Sequence, residues 1–234
     1  MLKSTIHEPL RLLVYTSSRS DFGLLRDFIL SLEEFSVVVE ILVSGAHVTN
    51  SGQSSLEQVL TFCSTMSIQY YLTSFNTYSE QDARSHVAAY TDTSKQIGDI
   101  LHKIKPDMLI VLGDRWELFS VSICAFMMRI PIAHISGGES SLGAFDDSIR
   151  HAHTKLSAIH FVACREYAEV VSRLGEEDWR IVISGESGLD WIHQGKLPKP
   201  ESVERQFGIQ LRASHPLLLV TYHPTSYGNE IALN

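Results

Sequence analysis

DMLIVLGDRWELFSVSICAFMMRIPIAHISGGESSLGAFDDSIRHAHTKLSAIHFVAC, residues 107–164, decides the fold of this chain. Two runs within it, DMLIVLG (107–113) and IPIAHIS (130–136), are apolar almost throughout, as strands covered on both faces are. Each runs into a polar, glycine-bearing turn. Those turns carry Asp114, Arg115, Glu139, Asp146, Asp147, Arg150 and His151. In an open parallel sheet such strand ends are where ligands bind. Acids, bases and guanidinium groups crowded there point to proton transfer on an anionic substrate.

Outward from this stretch, short apolar runs alternate with amphipathic ones. RLLVYT (11–16) reads as a first strand, SDFGLLRDFILSLEE (20–34) as a helix and VVVEILVSG (37–45) as a second strand. Residues 46–80 are polar and less regular. DARSHVAAYTDTSKQIGDILHKIK (82–105) reads as a long helix stopped by Pro106. Behind DMLIVLG lies the helix RWELFSVSICAFMMR, and behind IPIAHIS a helix from Asp146 to about Leu156. IHFVA (159–163), REYAEVVSRLG (165–175) and WRIVISG (179–185) continue as strand, helix and strand. This order predicts an α/β fold, a doubly wound parallel sheet with helices on both faces. It places a Rossmann-like domain over 1–195 and a linker with a short helix over 196–214. The first strand of a second domain follows over 215–234, the rest of that domain being largely absent. Unpacked, the apolar run PLLLVTY (216–222) is an adhesive segment that predicts self-association.

Composition narrows the function classes. Apolar residues form 44% of 234, enough for a full core. The formal net charge of −8 argues against a general nucleic-acid surface. No apolar run reaches the ~20 residues of a membrane span, and the N-terminus has no secretory pattern. Cys63, Cys124 and Cys164 are far apart and odd in number, which fits free thiols in a cytoplasmic protein.

The first strand–helix turn, TSSRSDFG (16–23), sets Ser17, Ser18, Arg19 and Ser20 at a strand end. Ser20 or Asp21 can cap the helix, leaving its N-terminus to meet an anion that Arg19 grips. A capped turn with a solvated arginine has the same sequence. No GxGxxG is present, so the dinucleotide fingerprint is absent. Gly113 permits a tight turn that aims Asp114 at the crevice, although a carboxylate there also caps helices. In HISGGESSLGAFDDSIRH (134–151), Gly137 and Gly138 allow substrate to approach the backbone. Glu139, Asp146 and Asp147 crowd three acids together, which raises at least one pKa. Solvated Asp–Arg pairs on a capped helix explain one aspartate, but not the glycine pair, Glu139 and His151 together. HExxH, CxxC and GxSxG are all missing, and His151 and His153 point to different faces. That argues against a catalytic metal or an acyl-transfer serine. His223, in TYHPTS, ends the last apolar run and suits a ligand contact.

SRSDFGLL, VSGAH, VLGDRWE, IPIAHISGGE, GAFDDSIRHAHTKLS, IHFVA and VTYHPT together resemble the hydrolysing UDP-N-acetylglucosamine 2-epimerases of sialic-acid-type sugar biosynthesis. The resemblance implies a GT-B-type pair of Rossmann-like domains with a cleft between them. It also implies conversion of UDP-GlcNAc and water to UDP and ManNAc, with no cofactor, in a cytoplasmic enzyme commonly found as a homodimer. Its partner is a nucleotide sugar, not nucleic acid or membrane. A base removes the C2 proton as the nucleotide leaves C1, and water then adds to the 2-acetamidoglucal with inverted C2. By position, Asp114, Asp146 and Asp147 match acid/base carboxylates. Arg19 and Arg115 match residues near the diphosphate. His47 matches a histidine lining the cleft, His151 one on the active-site helix, and His223 one facing the leaving nucleotide. Ser18 and Arg150 join the binding set, and Glu139 and His151 the catalytic set. Some relatives carry a glutamate two residues after the histidine of HISGG; Ser136 holds that place here, and Glu139 is the nearest acid.

Relatives continue for well over a hundred residues past the HP motif. The 234-residue chain alone is therefore expected to show little or no turnover, since positioning contributes about 7–11 kcal/mol. A non-catalytic half that binds the nucleotide sugar, and a GT-B glycosyltransferase, are the alternatives. The carboxylate-rich loop fits C2 proton chemistry better than glycosyl transfer.

Overall fold

β1 (Leu10–Thr16) and β4 (Met108–Leu112) lie side by side at the centre of a seven-stranded sheet. The structure is a computed structural model and describes residues 8–49, 52–74, 83–141, 146–193, 195, 197–211 and 218–221. The strand order is β3-β2-β1-β4-β5-β6-β7, with every pair parallel. β2 (Val37–Val43) and β3 (Gln69–Leu72) extend it one way. β5 (Ile132–Ile135), β6 (Ile159–Val162) and β7 (Ile181–Ile183) extend it the other way. The chain reverses its direction of winding between β1 and β4, and that is where a crevice opens at the carboxyl ends.

Alternation along the strands feeds two apolar layers. Leu13, Leu109, Val111 and Ile132 pack against Ile97 and Leu101 of α3 (Ala83–Ile104) and Leu118 and Val121 of α4 (Leu118–Met127). Val14, Ile110 and Ala133 pack against Phe22, Leu25 and Ile29 of α1 (Arg19–Ser31) and Val59 and Cys63 of α2 (Gln53–Met66). Cutting one of these fully buried leucines to alanine costs about 2–5 kcal/mol. The remaining helices are α5 (Asp146–Leu156), α6 (Arg165–Arg173), α7 (Asp190–His193) and α8 (Pro200–Phe207).

Three features differ from the sequence expectation. The irregular stretch 46–80 holds a 3-10 turn (Gly45–Val48), α2 and β3. α2 is amphipathic but serine- and threonine-rich, and β3 is a short, half-exposed edge, so neither has a strong apolar signal. α1 starts at Arg19, with Ser18 as N-cap rather than Ser20 or Asp21. Residues 218–221 carry no strand, and Leu218, Leu219 and Val220 are exposed. The rest of 215–226 lies outside the described residues.

Two glycines and two histidines lock α5 and α6 to the sheet. Gly138 has φ +82°, and a Cβ there would stand 2.4 Å from the carbonyl oxygen of Tyr167 in α6. His134 on β5 and His153 on α5 are both fully buried. Burial pushes His134 down to about 3 and His153 down to about 4.

Gly138→Ala is expected to cost more than the ~1–2 kcal/mol of left-handed backbone alone, because backbone must also move. Thermal melting checks this, at about 2–4 °C per kcal/mol. Both histidines have folded values below the unfolded 6.5. Between those limits the unfolded chain binds more protons, so their stabilisation is complete above pH 6.5 and is lost as pH falls towards 3–4. Urea unfolding is expected to weaken as pH drops from 7.5 to 5, by up to about 1.4 kcal/mol per pH unit per ring. His153→Phe should flatten that slope; a profile as steep as the parent's would refute the assignment.

Candidate active site

The turn after β4 begins with Gly113, whose φ of +84° lets the chain reverse sharply. Its N–H donates to the Ile135 carbonyl at 3.0 Å, so β5 holds the turn. Asp114 follows, and Arg150 reaches it from α5. The buried Arg150 guanidinium pairs with the Asp114 carboxylate through Nη2 and with Asp147 through Nη1 at 3.2 Å. Nη2 also lies 3.3 Å from Ser141 Oγ. Asp147 in turn accepts the Ser141 N–H at 2.7 Å and the Ser140 hydroxyl at 3.1 Å. One arginine thus joins the β4 turn, the glycine-bearing loop and the start of α5. Its pairing with two protein carboxylates gives it a structural role that the sequence did not show.

The acids of this cluster are driven apart in proton affinity. The Ser141 N–H, then the Ser140 hydroxyl, Arg150 and His151, hold Asp147 below the usual carboxylate range. Burial, and then the charge of Asp114, push its neighbour Asp146 up. Burial also raises Glu139, with the charges of Glu186 and Asp114 adding and Arg150 opposing. The surroundings thus lower one acid and raise two others, the kind of divergence an acid–base pair uses. The Ser136 hydroxyl acts to lower the Glu139 carboxyl, against burial. Ser136 itself has φ +65°, unusual for a residue with a Cβ.

Beside this cluster stands the β1–α1 turn. Asp21 accepts the N–H groups of Ser17 and Ser18 at 2.9 Å each, and the hydroxyls of Thr16 at 2.8 Å and Ser17 at 2.9 Å. Those two backbone donors are therefore already used, which corrects the picture of a turn wholly open to an anion. Ser18 is buried, with its hydroxyl 2.8 Å from that of Ser20. Arg19 is exposed and has no ion pair among the described residues. It borders a groove of about 640 Å³ between α1 and α2, with Phe22, Glu57 and Phe62, and is not drawn into the Asp114 cluster. His47 does not line an open wall. It is fully buried beneath the turn, with Nε2 3.0 Å from Thr16 Oγ1 and Nδ1 3.0 Å from Ser55 Oγ. Burial lowers its pKa, against the pull of Asp21.

Arg115 points back to the protein. Its guanidinium lies 2.5 Å from the buried carboxylate of Glu117, so its charge is already met at home. His151 is partly buried and acts electrostatically on Asp147. His223 lies outside the described residues. The glycine pair serves packing rather than substrate approach: Gly138 fits against Tyr167, and a Cβ at Gly137 would sit 3.3 Å from Thr154 Oγ1.

Reasoning from sequence did not single out Glu117, His134 or Thr154. A polar residue inside an apolar strand was the available signal for His134. Asp21, considered only as a possible cap, stands three residues after Ser18, the spacing of a capping box. Among the described residues, no helix is long and apolar enough to cross a membrane. None of their His, Cys, Asp and Glu side chains form a group of three or more that could hold a metal ion.

Comparison with known proteins agrees with this fold. The chain is 31% identical over 216 residues to the GDP/UDP-N,N'-diacetylbacillosamine 2-epimerase (hydrolyzing) of Campylobacter jejuni, covering 92% of this chain and 54% of that protein. It is 28% identical over 228 residues to the polysialic acid biosynthesis protein P7 of Escherichia coli, covering 94% and 55%. Among solved structures, the UDP-GlcNAc 2-epimerase from Neisseria meningitidis bound to UDP-GlcNAc matches with a TM-score of 0.68 at 19% identity, over 86% of this chain and 55% of that one. The chain thus spans about half the length of the relatives it matches. It matches the family described as UDP-N-acetylglucosamine 2-epimerase over residues 31–233, and with a parallel sheet of the GT-B type and its carboxylates gathered at the switch point, it belongs to that family.

Proposed function

We propose that this domain supplies the sugar-side half of a hydrolysing nucleotide-sugar 2-epimerase, acting on UDP-GlcNAc or a closely related UDP-linked 2-acetamido sugar. The observation that carries the reading is the Arg150-centred cluster, which sets Asp114 beside acids of opposite proton preference. In this reading Asp114 takes the C2 proton. The C2–H electron pair becomes the C1–C2 double bond, and the C1–O bond breaks to release the nucleoside diphosphate. Asp146 or Glu139, each raised by its surroundings, gives a proton to the opposite face of C2 as water adds its oxygen at C1 and releases its own proton to solvent. Glu139, three residues after Ser136, takes in this reading the role of the glutamate that some relatives carry at the place of Ser136. Arg19, which has no ion pair among the described residues, meets the diphosphate in this reading, and His151 attends the α5 end of the site.

The domain reading accompanies this one. Residues 1–195 form the Rossmann-like unit, 196–214 a linker and 215–234 the opening of a second unit, in whose sequence His223 is the candidate nucleotide contact. Exposed Leu218, Leu219 and Val220 support a segment that gains cover from a partner domain or a second copy. A second reading, binding without turnover, is favoured by the half-length match to relatives.

Turnover separates the two. Purified chain given UDP-GlcNAc in D₂O is expected to release at most a trace of UDP and ManNAc, and any ManNAc formed carries deuterium at C2. Asp114→Asn should cut that release by about 10²–10⁴-fold. Calorimetric binding of UDP-GlcNAc with no UDP released establishes the second reading instead. Arg19→Ala is expected to weaken UDP-GlcNAc binding about ten-fold, the loss of one charge-assisted contact. Arg115→Ala should weaken it less, since Glu117 already holds that charge.

A further inference from the structure

The Gly113–Asp114 peptide is fixed from behind by a relay that starts on the same helix as Arg150. Its carbonyl, that of Gly113, lies 2.8 Å from His134 Nε2. A carbonyl only accepts, so Nε2 carries the proton and Nδ1 is left as an acceptor. Thr154 Oγ1 stands 3.3 Å from Nδ1 and donates to it. Both side chains are fully buried, and water does not compete for either bond. Gly137 covers the pair: a Cβ there would meet Thr154 Oγ1 at 3.3 Å and His134 Nδ1 at 3.4 Å, so the threonine would have to give by a few tenths of an ångström.

We infer that Thr154 and His134 are positioning residues for Asp114, and that α5 clamps this carboxylate twice, through Arg150 and through the Thr154–His134–Gly113 relay. The inference deepens the reading of Asp114 as the proton-abstracting group and rests on it. Arg150 fixes where the carboxylate ends, whereas the relay fixes the peptide plane from which it springs. The plane needs such a hold because φ at Gly113 is +84° and its absent side chain leaves open space, so packing does not restrain the turn. Burial keeps the His134 ring neutral, and a neutral ring is needed for one nitrogen to donate while the other accepts.

The test uses the whole chain labelled with ¹⁵N, with Thr154→Val and Thr154→Ser beside the parent. Valine keeps the shape of threonine and loses the donor; serine keeps the donor. Ring spectra of the parent are expected to show the His134 proton on Nε2. The Asp114 amide, which shares its peptide with the Gly113 carbonyl, is expected to hold its position in Thr154→Ser and to shift in Thr154→Val. Where UDP release is measured, Thr154→Val should lower kcat by about ten- to a hundred-fold with KM little changed, and Thr154→Ser should restore it. A proton found on Nδ1, or an Asp114 amide unmoved in Thr154→Val, overturns the inference. If Asp114→Asn leaves UDP release intact while the spectra behave as stated, the role given to Asp114 fails and the clamp on its peptide stands.

Discussion

A guanidinium buried in a protein must be neutralised where it lies, and Arg150 meets that demand with carboxylates from two elements. Asp147 sits one turn back on α5, but Asp114 belongs to the turn after β4. The charge therefore dictates how α5 docks, and with it the placement of the loop between β5 and α5. Removing either acid leaves part of a cation unpaired at low dielectric, a larger penalty than the pair contributes as attraction. The cluster that looks like reactive chemistry is in the same measure the bolt that closes the upper edge of the sheet.

Around that bolt the polar groups of the strand ends are used economically. Asp21 takes four donors from Thr16, Ser17 and Ser18, and His47 sits below with both nitrogens occupied. Glu117 answers Arg115. The outcome is a hydrogen-bonded floor under the crevice, from which Arg19 stands exposed to solvent. Rigidity of this kind keeps reacting groups in place without reorganisation during the reaction.

Much of this was legible in residues 107–164. Apolar runs ending in Gly113 and Ser136 located two central strands, and DDSIRH located α5 to the residue. The charges there were readable as a group because strand ends in a parallel sheet lie on one edge. What each charge does was not readable, because pairing is a property of three-dimensional approach. Nothing in the order of residues says that Arg150 spends itself on Asp114, that Arg115 folds back to Glu117 or that His47 lies beneath its turn. The glycines misled for a related reason: a missing Cβ shows that something comes close, and here that something is the backbone of Tyr167 and the Thr154–His134 pair. α2 and β3 escaped notice because polar helices and short edges depend on their neighbours more than on local pattern.

The pairing of β1 with β4 joins residues that are 96 positions apart, as in the bond from the Arg11 N–H to the Asp107 carboxylate. Such a closure is entropically slow, and non-local parallel pairings lengthen folding times. A chain leaving the ribosome from its N-terminus, at roughly 5–20 residues per second, has β1, β2 and β3 ready several seconds before β4 emerges. During that interval the inner flank of β1 has no neighbour. A nascent chain of this topology thus carries an open strand edge until β4 arrives, and the crevice at the β1–β4 junction exists only once the late strand has zipped home.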